Sequence, residues 1–251
     1  MSGKREILAR TAMQLKALGL VRGLYDSCFH EVRVLAYHRV LPRSYERNYP
    51  FDLELVSAWD DEFDWQMQYL AKHYRVMTCA GLWALIDQGE PIPKDCVVVT
   101  FDDGFADNHD VALPILKRHG VPATFFVSTG YIGTHEHFWF EQVVFDLLNT
   151  ACTSITLHPS NATHPIGADE ASRRDLAPTL LRHLKQLSNE DRLSTVARWH
   201  EELGVPTALN TDPLHHPMSW LQVRALADAG MEIGSHTVSH PVLARVANAA
   251  Q

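Results

Sequence analysis

The sequence predicts an α/β protein built on parallel strands, and three observations carry that prediction. Continuous apolar runs such as "CVVVTF" (96–101) and "ATFFV" (123–127) have the character of strands buried on both faces. Segments with helical apolar spacing alternate with them. The links between the two kinds of segment are short, and a strand–helix–strand order of this sort produces parallel β/α units.

The elements follow in chain order. "EVRVLAYHRV" (31–40) alternates, is rich in β-branched residues and predicts one strand closed by Pro42. Residues 43–59 are polar and aromatic around Pro50 and predict a loop. "DDEFDWQMQYLAKHY" (60–74) begins acidic and ends basic, which complements a helix dipole. "RVMT" (75–78) predicts a short strand. "CAGLWALIDQGEP" (79–91) predicts a short helix stopped by Gly89 and Pro91. After the 96–101 strand, "NHDVALPILKRHG" (108–120) predicts a helix with Pro114 confined to its first turns and Gly120 as its stop. "ATFFVSTGYIG" (123–133) predicts the next strand.

Residues 134–218 interrupt this rhythm and predict a helical insertion. "HFWFEQVVFDLLNTA" predicts a helix whose start, Phe138 to Phe140, is a hydrophobic cluster or a surface for stacking on sugar rings. Residues 158–170 predict a loop, 171–187 and 189–203 two helices, and "GVPTALNTDPLHHP" a further loop. The rhythm then returns. "SWLQVRALADAG" (219–230) predicts a helix capped by Ser219 and ended by Gly230, and "MEIGSH" (231–236) a strand.

Composition bounds the function. The formal charge is −8, without the basic excess that a nucleic-acid surface carries, so no nucleic-acid partner is expected. None of the four cysteines (Cys28, Cys79, Cys96 and Cys152) forms a C-x-x-C pair, and free thiols of a reducing compartment are expected. No apolar run is long enough to span a bilayer, and the N-terminus lacks the apolar core and cleavage site of a signal peptide. The expected location is therefore cytoplasmic. Residues 1–30 predict an amphipathic helix, with Lys4, Arg5, Arg10, Lys16 and Arg22 beside an apolar stripe. Such a helix docks on its own domain, or makes a peripheral contact with the inner face of a membrane through residues 4–24. Nothing in the sequence specifies an oligomeric state.

The chemistry concentrates at two strand ends. In "VVVTFDDG" two adjacent aspartates follow a buried strand. Inside a strand one of them would point into apolar packing, at heavy cost. At its carboxyl end the alternation lapses, Gly104 permits a turn, and both carboxylates can face the mouth where parallel β/α proteins collect their chemistry. "GSHTVSHP" puts His236 and His240 at the end of another predicted strand. Two imidazoles four residues apart on a turn, joined by a carboxylate from elsewhere, form a facial set with open positions, the pattern of a catalytic divalent metal. His135, His137, His215 and His216 lie in or beside the insertion and are expected as surface histidines.

"TFDDG" followed by "HTVSHP" resembles the polysaccharide deacetylase, or NodB-homology, family, and the likeness covers roughly 31–133 and 217–246. "PILKRHGVPATFFVSTGYIG" and "MSWLQVRALADAGMEIGSH" resemble its connecting segments. The resemblance implies a distorted (β/α) barrel over 31–251, with the insertion and without the C-terminal strands with which the family usually continues. It implies hydrolysis of N-acetyl groups on an N-acetylhexosamine-containing saccharide of the cell envelope. It also implies a divalent metal, zinc by preference, with cobalt, nickel and manganese also suited to two histidines and an aspartate. Carried over by motif, Asp102 is the general base and Asp103, His236 and His240 are the metal ligands. An N–H near Tyr131, or in the loop after Asp103, is a candidate oxyanion donor. "LAYHRV" resembles the early YH motif of the branch that includes biofilm poly-N-acetylglucosamine deacetylases, which implies His38 as general acid. The same site would serve a non-sugar amide. A silent fragment that only binds metal or sugar is a further reading.

Overall fold

The computed structural model describes residues 32–158, 160–206 and 212–246. The expected helix at 1–30, its membrane-contact segment 4–24 and Cys28 lie outside the described residues.

Five strands form the central sheet, all of them parallel: β1 (Arg33–Tyr37), β4 (Arg75–Met77), β5 (Cys96–Phe101), β6 (Thr124–Val127) and β9 (Glu232–Ser235). β5 is the centre. One edge pairs with β1 along its whole length, from Arg33↔Val97 to Tyr37↔Phe101. Its other edge takes β4 at Cys96–Val98 and β6 at Thr100–Phe101, and β9 lies outside β6. Every residue of β5 is buried, as its unbroken apolar run requires.

Helices α1 (Asp60–His73), α3 (Leu113–His119) and α7 (Trp220–Asp228) share one core with this sheet. Phe63 and Met67 from α1, Leu116 from α3 and Leu226 from α7 meet Val97, Val99 and Phe101 there. Phe101 stacks on Phe125 with centroids 4.5 Å apart and is flanked by Tyr37 and Phe63. The expected end signals hold. Asp60 to Glu62 open α1 and Lys72 and His73 close it, Gly120 takes φ 65°, and Ser219 forms a capping box with Gln222. α2 (Cys79–Asp87) is capped by the Thr78 side chain.

Three local expectations are corrected. The strand expected over 31–40 breaks at His38. Beyond it, β2 (Arg39–Leu41) leaves the central sheet and pairs in parallel with β3 (Val56–Trp59), in the segment expected as loop. The break is held by two hydrogen bonds. The His38 N–H donates to Ser57 Oγ at 2.9 Å, and Asn108 Nδ2 donates to the His38 carbonyl at 2.9 Å. Next, Asn108–Ala112 is wound as π-helix ahead of Pro114. The looser turn suits a proline, which lacks the N–H of a regular α-helical ladder. Last, the stretch expected as loop around 158–170 contains half of an antiparallel hairpin, β7 (Ser154–Leu157) with β8 (Ala162–Pro165), with Asn161 left-handed at φ 55°.

The insertion is therefore α4 (Trp139–Asn149), the hairpin, α5 (Glu170–Leu184) and α6 (Asn189–Leu203). Its core is continuous with Leu41, Tyr49, Phe51 and Phe105, so it rests on β2 and on the segment after β5. Phe138, Trp139 and Phe140 are buried in that core, which makes them a helix-start cluster and not an exposed sugar platform. Cys79, Cys96 and Cys152 are free thiols. Among the described residues, no helix is long and apolar enough to cross a membrane.

Candidate active site

The site begins where β5 ends. The Asp102 N–H donates to the Tyr37 carbonyl at 2.9 Å, and the chain then turns with Asp103 at φ 74° and Gly104 at φ 95°. A Cβ on Gly104 would stand 3.0–3.2 Å from Ile132 and Val127 side-chain atoms, in a backbone region closed to most residues. The turn drives the Asp103 carboxylate inward, to 1% exposure. Its backbone is tied down by Ser128, whose N–H donates to the Asp103 carbonyl at 3.0 Å.

The histidines arrive on the turn after β9. The His236 N–H donates to the Val127 carbonyl, and the Thr129 and Gly130 N–H groups donate to Thr237 and Val238. Ser128 Oγ donates to the His236 carbonyl at 3.0 Å. The ends of β6 and β9 are thus zipped together. Thr237 and His240 adopt φ 68° and 51°, and Thr237 Oγ1 accepts from the His240 N–H. The insertion adds a support, because Trp139 Nε1 donates to the His240 carbonyl at 3.2 Å.

These two turns bring Asp103, His236 and His240 together. His240 Nε2 lies 3.1 Å and His236 Nε2 3.5 Å from Asp103 Oδ1. One ligand atom from each of the three falls within 4.8 Å of the others, the one such group of three among the described residues. Neither Asp103 oxygen has a hydrogen-bond partner, nor does His240 Nδ1, although all are buried. An orphaned buried carboxylate between two imidazoles fits a divalent cation. Two of the three candidate ligands also sit in left-handed backbone that costs on the order of 1–3 kcal/mol each in a non-glycine residue.

Asp102 stands beside this group, half-buried. Burial pushes its carboxyl above the ordinary value, the Asp103 charge adds to the rise, and the imidazoles of His236, His38 and His240 oppose it. His38 follows Tyr37 just as Asp102 follows Phe101, so the two leave adjacent strands side by side. The Tyr131 N–H, a candidate oxyanion donor, is already committed to the Ser128 carbonyl at 3.0 Å.

Arg39 does not follow from the sequence pattern, which directs it off the opposite face of a continuing strand. The break at His38 turns it inward, and it is fully buried. Its Nε donates to Asp107 Oδ1 at 2.9 Å, and its Nη1 donates to Tyr49 Oη at 2.7 Å and to Glu141 Oε1 at 3.0 Å. Its Nη2 donates to the Leu214 carbonyl. Burial opposes the charge, but Tyr49, Asp107 and Glu141 outweigh it and hold the guanidinium above its ordinary value. The histidines expected at the surface are corrected in part. His215 is 5% exposed and the His137 side chain 8%, because both are covered by the aromatic core of the insertion.

Residues 89–251 match the model of a protein family described as polysaccharide deacetylase. The chain belongs to that family. Asp102, Asp103, His236 and His240 lie inside the match and His38 before it. Over 83 residues the chain is 35% identical to the YxkH protein of Bacillus subtilis (strain 168), whose polysaccharide deacetylase name is provisional; this is 33% of the chain and 30% of that protein. Over 105 residues it is 28% identical to a poly-β-1,6-N-acetyl-D-glucosamine N-deacetylase of Staphylococcus aureus (strain MSSA476), 39% of the chain and 36% of that protein. The matched part thus spans about a third of these curated relatives. Similar solved structures include the Streptococcus pyogenes deacetylase PplD in complex with acetate. It has a TM-score of 0.44 and 18% identity, over 86% of this chain and 60% of that one. Another is IcaB from Ammonifex degensii, with a TM-score of 0.37 and 23% identity, over 85% and 88%.

Proposed function

We propose that this polysaccharide deacetylase family member is a metal-dependent hydrolase that removes N-acetyl groups from an N-acetylhexosamine-containing saccharide, as envelope polysaccharide or glycolipid. One observation carries the reading: the buried Asp103 carboxylate, without a hydrogen-bond partner, lies between His236 and His240 at the mouth of a parallel sheet. The Staphylococcus aureus relative, whose name specifies N-acetyl-D-glucosamine, supports the choice of sugar.

In this reading Asp103, His236 and His240 hold the ion, with zinc preferred and cobalt, nickel or manganese also compatible with the donor set. A bound divalent ion supplies Lewis-acid polarisation of the acetamide carbonyl and lowers the pKa of a water. Asp102, beside the ligands and outside the set, takes the proton of the attacking water. Its partial burial favours that role, because a carboxyl raised toward neutrality is a better proton acceptor than an ordinary surface aspartate. His38, leaving the neighbouring strand, delivers a proton to the departing amine.

The test is release of free amine from N-acetylglucosamine oligomers by the full chain, with and without Zn²⁺ or Co²⁺, beside Asp103→Ala. Metal-dependent release that vanishes in the variant supports the reading. A folded protein that binds metal through His236 and His240 but releases no amine from these oligomers or from a shorter acetamide would overturn it.

A further inference from the structure

His240 is held differently from its partner His236. The His236 backbone is tied to the end of β6 twice, its N–H donating to the Val127 carbonyl and its carbonyl accepting from Ser128 Oγ. The His240 N–H reaches only Thr237 Oγ1, inside its own left-handed turn. A ligating imidazole is normally oriented by a hydrogen bond from its second ring nitrogen. His240 presents Nε2 to Asp103 at 3.1 Å, and its Nδ1 is buried without a partner. Neither the sheet nor a bond to the second ring nitrogen fixes this side chain.

The insertion supplies what is missing. Trp139 Nε1 donates to the His240 carbonyl at 3.2 Å, the one hydrogen bond among the described residues that ties His240 to a segment outside its turn. Phe138 and Phe140 meet the His240 ring edge to face, with centroids 5.7 and 5.2 Å away. The indole is itself fixed from α6. The Arg192 guanidinium lies 4.9 Å from its ring centroid, and Arg192 Nη2 donates to Asn189 Oδ1. Arg192 is fully buried and its Nε and Nη1 have no hydrogen-bond partner, so the indole face is a main counterpart of its charge.

We propose that Trp139 is a positioning residue that, with Phe138 and Phe140, seats His240 for metal binding, which makes the helical insertion a working part of the site. The inference rests on the metal reading of Asp103, His236 and His240 given above. The indole N–H fixes the backbone of a non-glycine residue at φ 51°, and the two phenyl rings fix the plane of its imidazole. Without this seat the imidazole is free to turn away, and Asp103 and His236 alone are left to hold the ion.

The experiment is zinc affinity of the full chain by competition with a chromophoric chelator, with the visible spectrum of the Co²⁺ form and thermal melting of the metal-free protein. Trp139→Phe removes the N–H and is expected to weaken zinc binding about 10–100-fold, the effect of losing a ligand's outer support, and to alter the Co²⁺ bands. Trp199→Phe is the control. Trp199 is buried in the same insertion and donates Nε1 to the Thr156 carbonyl at 2.8 Å, in the hairpin and not at the site turns. It should lower the melting temperature and leave zinc affinity and the Co²⁺ bands at their wild-type values. Phe140→Leu keeps the hydrogen bond, removes a ring and should weaken zinc binding in the same direction; it carries the test should Trp139→Phe fail to fold. A wild type that binds zinc through Asp103, beside a folded Trp139→Phe or Phe140→Leu that binds it equally well, overturns this inference alone. Equal weakening in Trp199→Phe does the same. A wild type whose zinc binding is indifferent to Asp103→Ala overturns the functional reading as well.

Discussion

The Asp102 N–H donates to the Tyr37 carbonyl at 2.9 Å, one step beyond the last residue pair of β1 and β5. That bond carries His38 and Asp102 out of the sheet as neighbours. His38→Ala is expected to lower kcat by about 10²–10⁴-fold, the range for loss of a general acid. Zinc binding and melting temperature should hold, because backbone groups and not the imidazole anchor the bend at His38. Steady-state amine release with parallel zinc titration checks it. An unchanged kcat removes His38 from the mechanism.

Asp103 is expected to trade stability for function. In chelator-treated protein at pH 8, Asp103→Asn should melt above wild type. The amide tolerates the left-handed backbone and avoids a buried, unpartnered charge, the sort of defect that costs about 1–3 kcal/mol. The variant should gain nothing at this site from added Zn²⁺, while wild type gains by mass action. Paired melting curves with and without zinc decide the point.

Arg39 tests the buried network. Arg39→Met leaves Asp107 and Glu141 as uncompensated buried charges and should cost about 3–5 kcal/mol in urea unfolding. Arg39→Lys keeps the charge but loses the planar fork that reaches Asp107, Tyr49 and Glu141 together. An intermediate loss is expected.

Gly130 tests the zip between the two site turns. An added Cβ would stand 2.6 Å from the Val238 carbonyl oxygen, a backbone atom that cannot swing aside. Gly130→Ala should therefore weaken zinc binding at the Asp103 site on the order of tenfold or more, as disruption of a ligand's support does. Gly81→Ala is the control: in α2 an added Cβ meets its nearest atom at 3.5 Å, and the helix should gain slightly in stability.

A pH prediction rests on Asp64, which joins α1 to α3. The hydrogen bond from His119 at 2.9 Å holds its carboxyl below the usual carboxylate value; burial opposes the fall and Arg118 adds to it. A depressed folded pKa stabilises above the unfolded value of about 3.9 and is lost as pH falls through the folded value. Wild type should exceed Asp64→Asn in melting temperature at neutral pH, by a difference worth at most about 1 kcal/mol for so exposed a pair. The gap should narrow as melts are taken to pH values progressively below the unfolded carboxyl value. A constant gap would assign the effect to packing.

Local chemistry made much of this protein legible. The unbroken apolar run of β5, the charge gradient of α1 and the capping residues of α7 report pairings made within a few residues or between an element and a core. The Asp-Asp and His-x-x-x-His motifs also announced themselves, because carboxylates and imidazoles at strand ends are expensive to place without a purpose. Other features depended on partners distant in the chain. Whether 31–40 is one strand was decided by Ser57 and Asn108, which hold the bend at His38. The inward turn of Arg39 was decided by Asp107 and Glu141. The burial of His137 and His215 was decided by the aromatic core that the insertion folds over them. Sequence marked the candidate groups of the site. Tertiary structure decided which of them share a desolvated space, since burial and long-range hydrogen bonding are properties of the assembled chain and leave no local pattern.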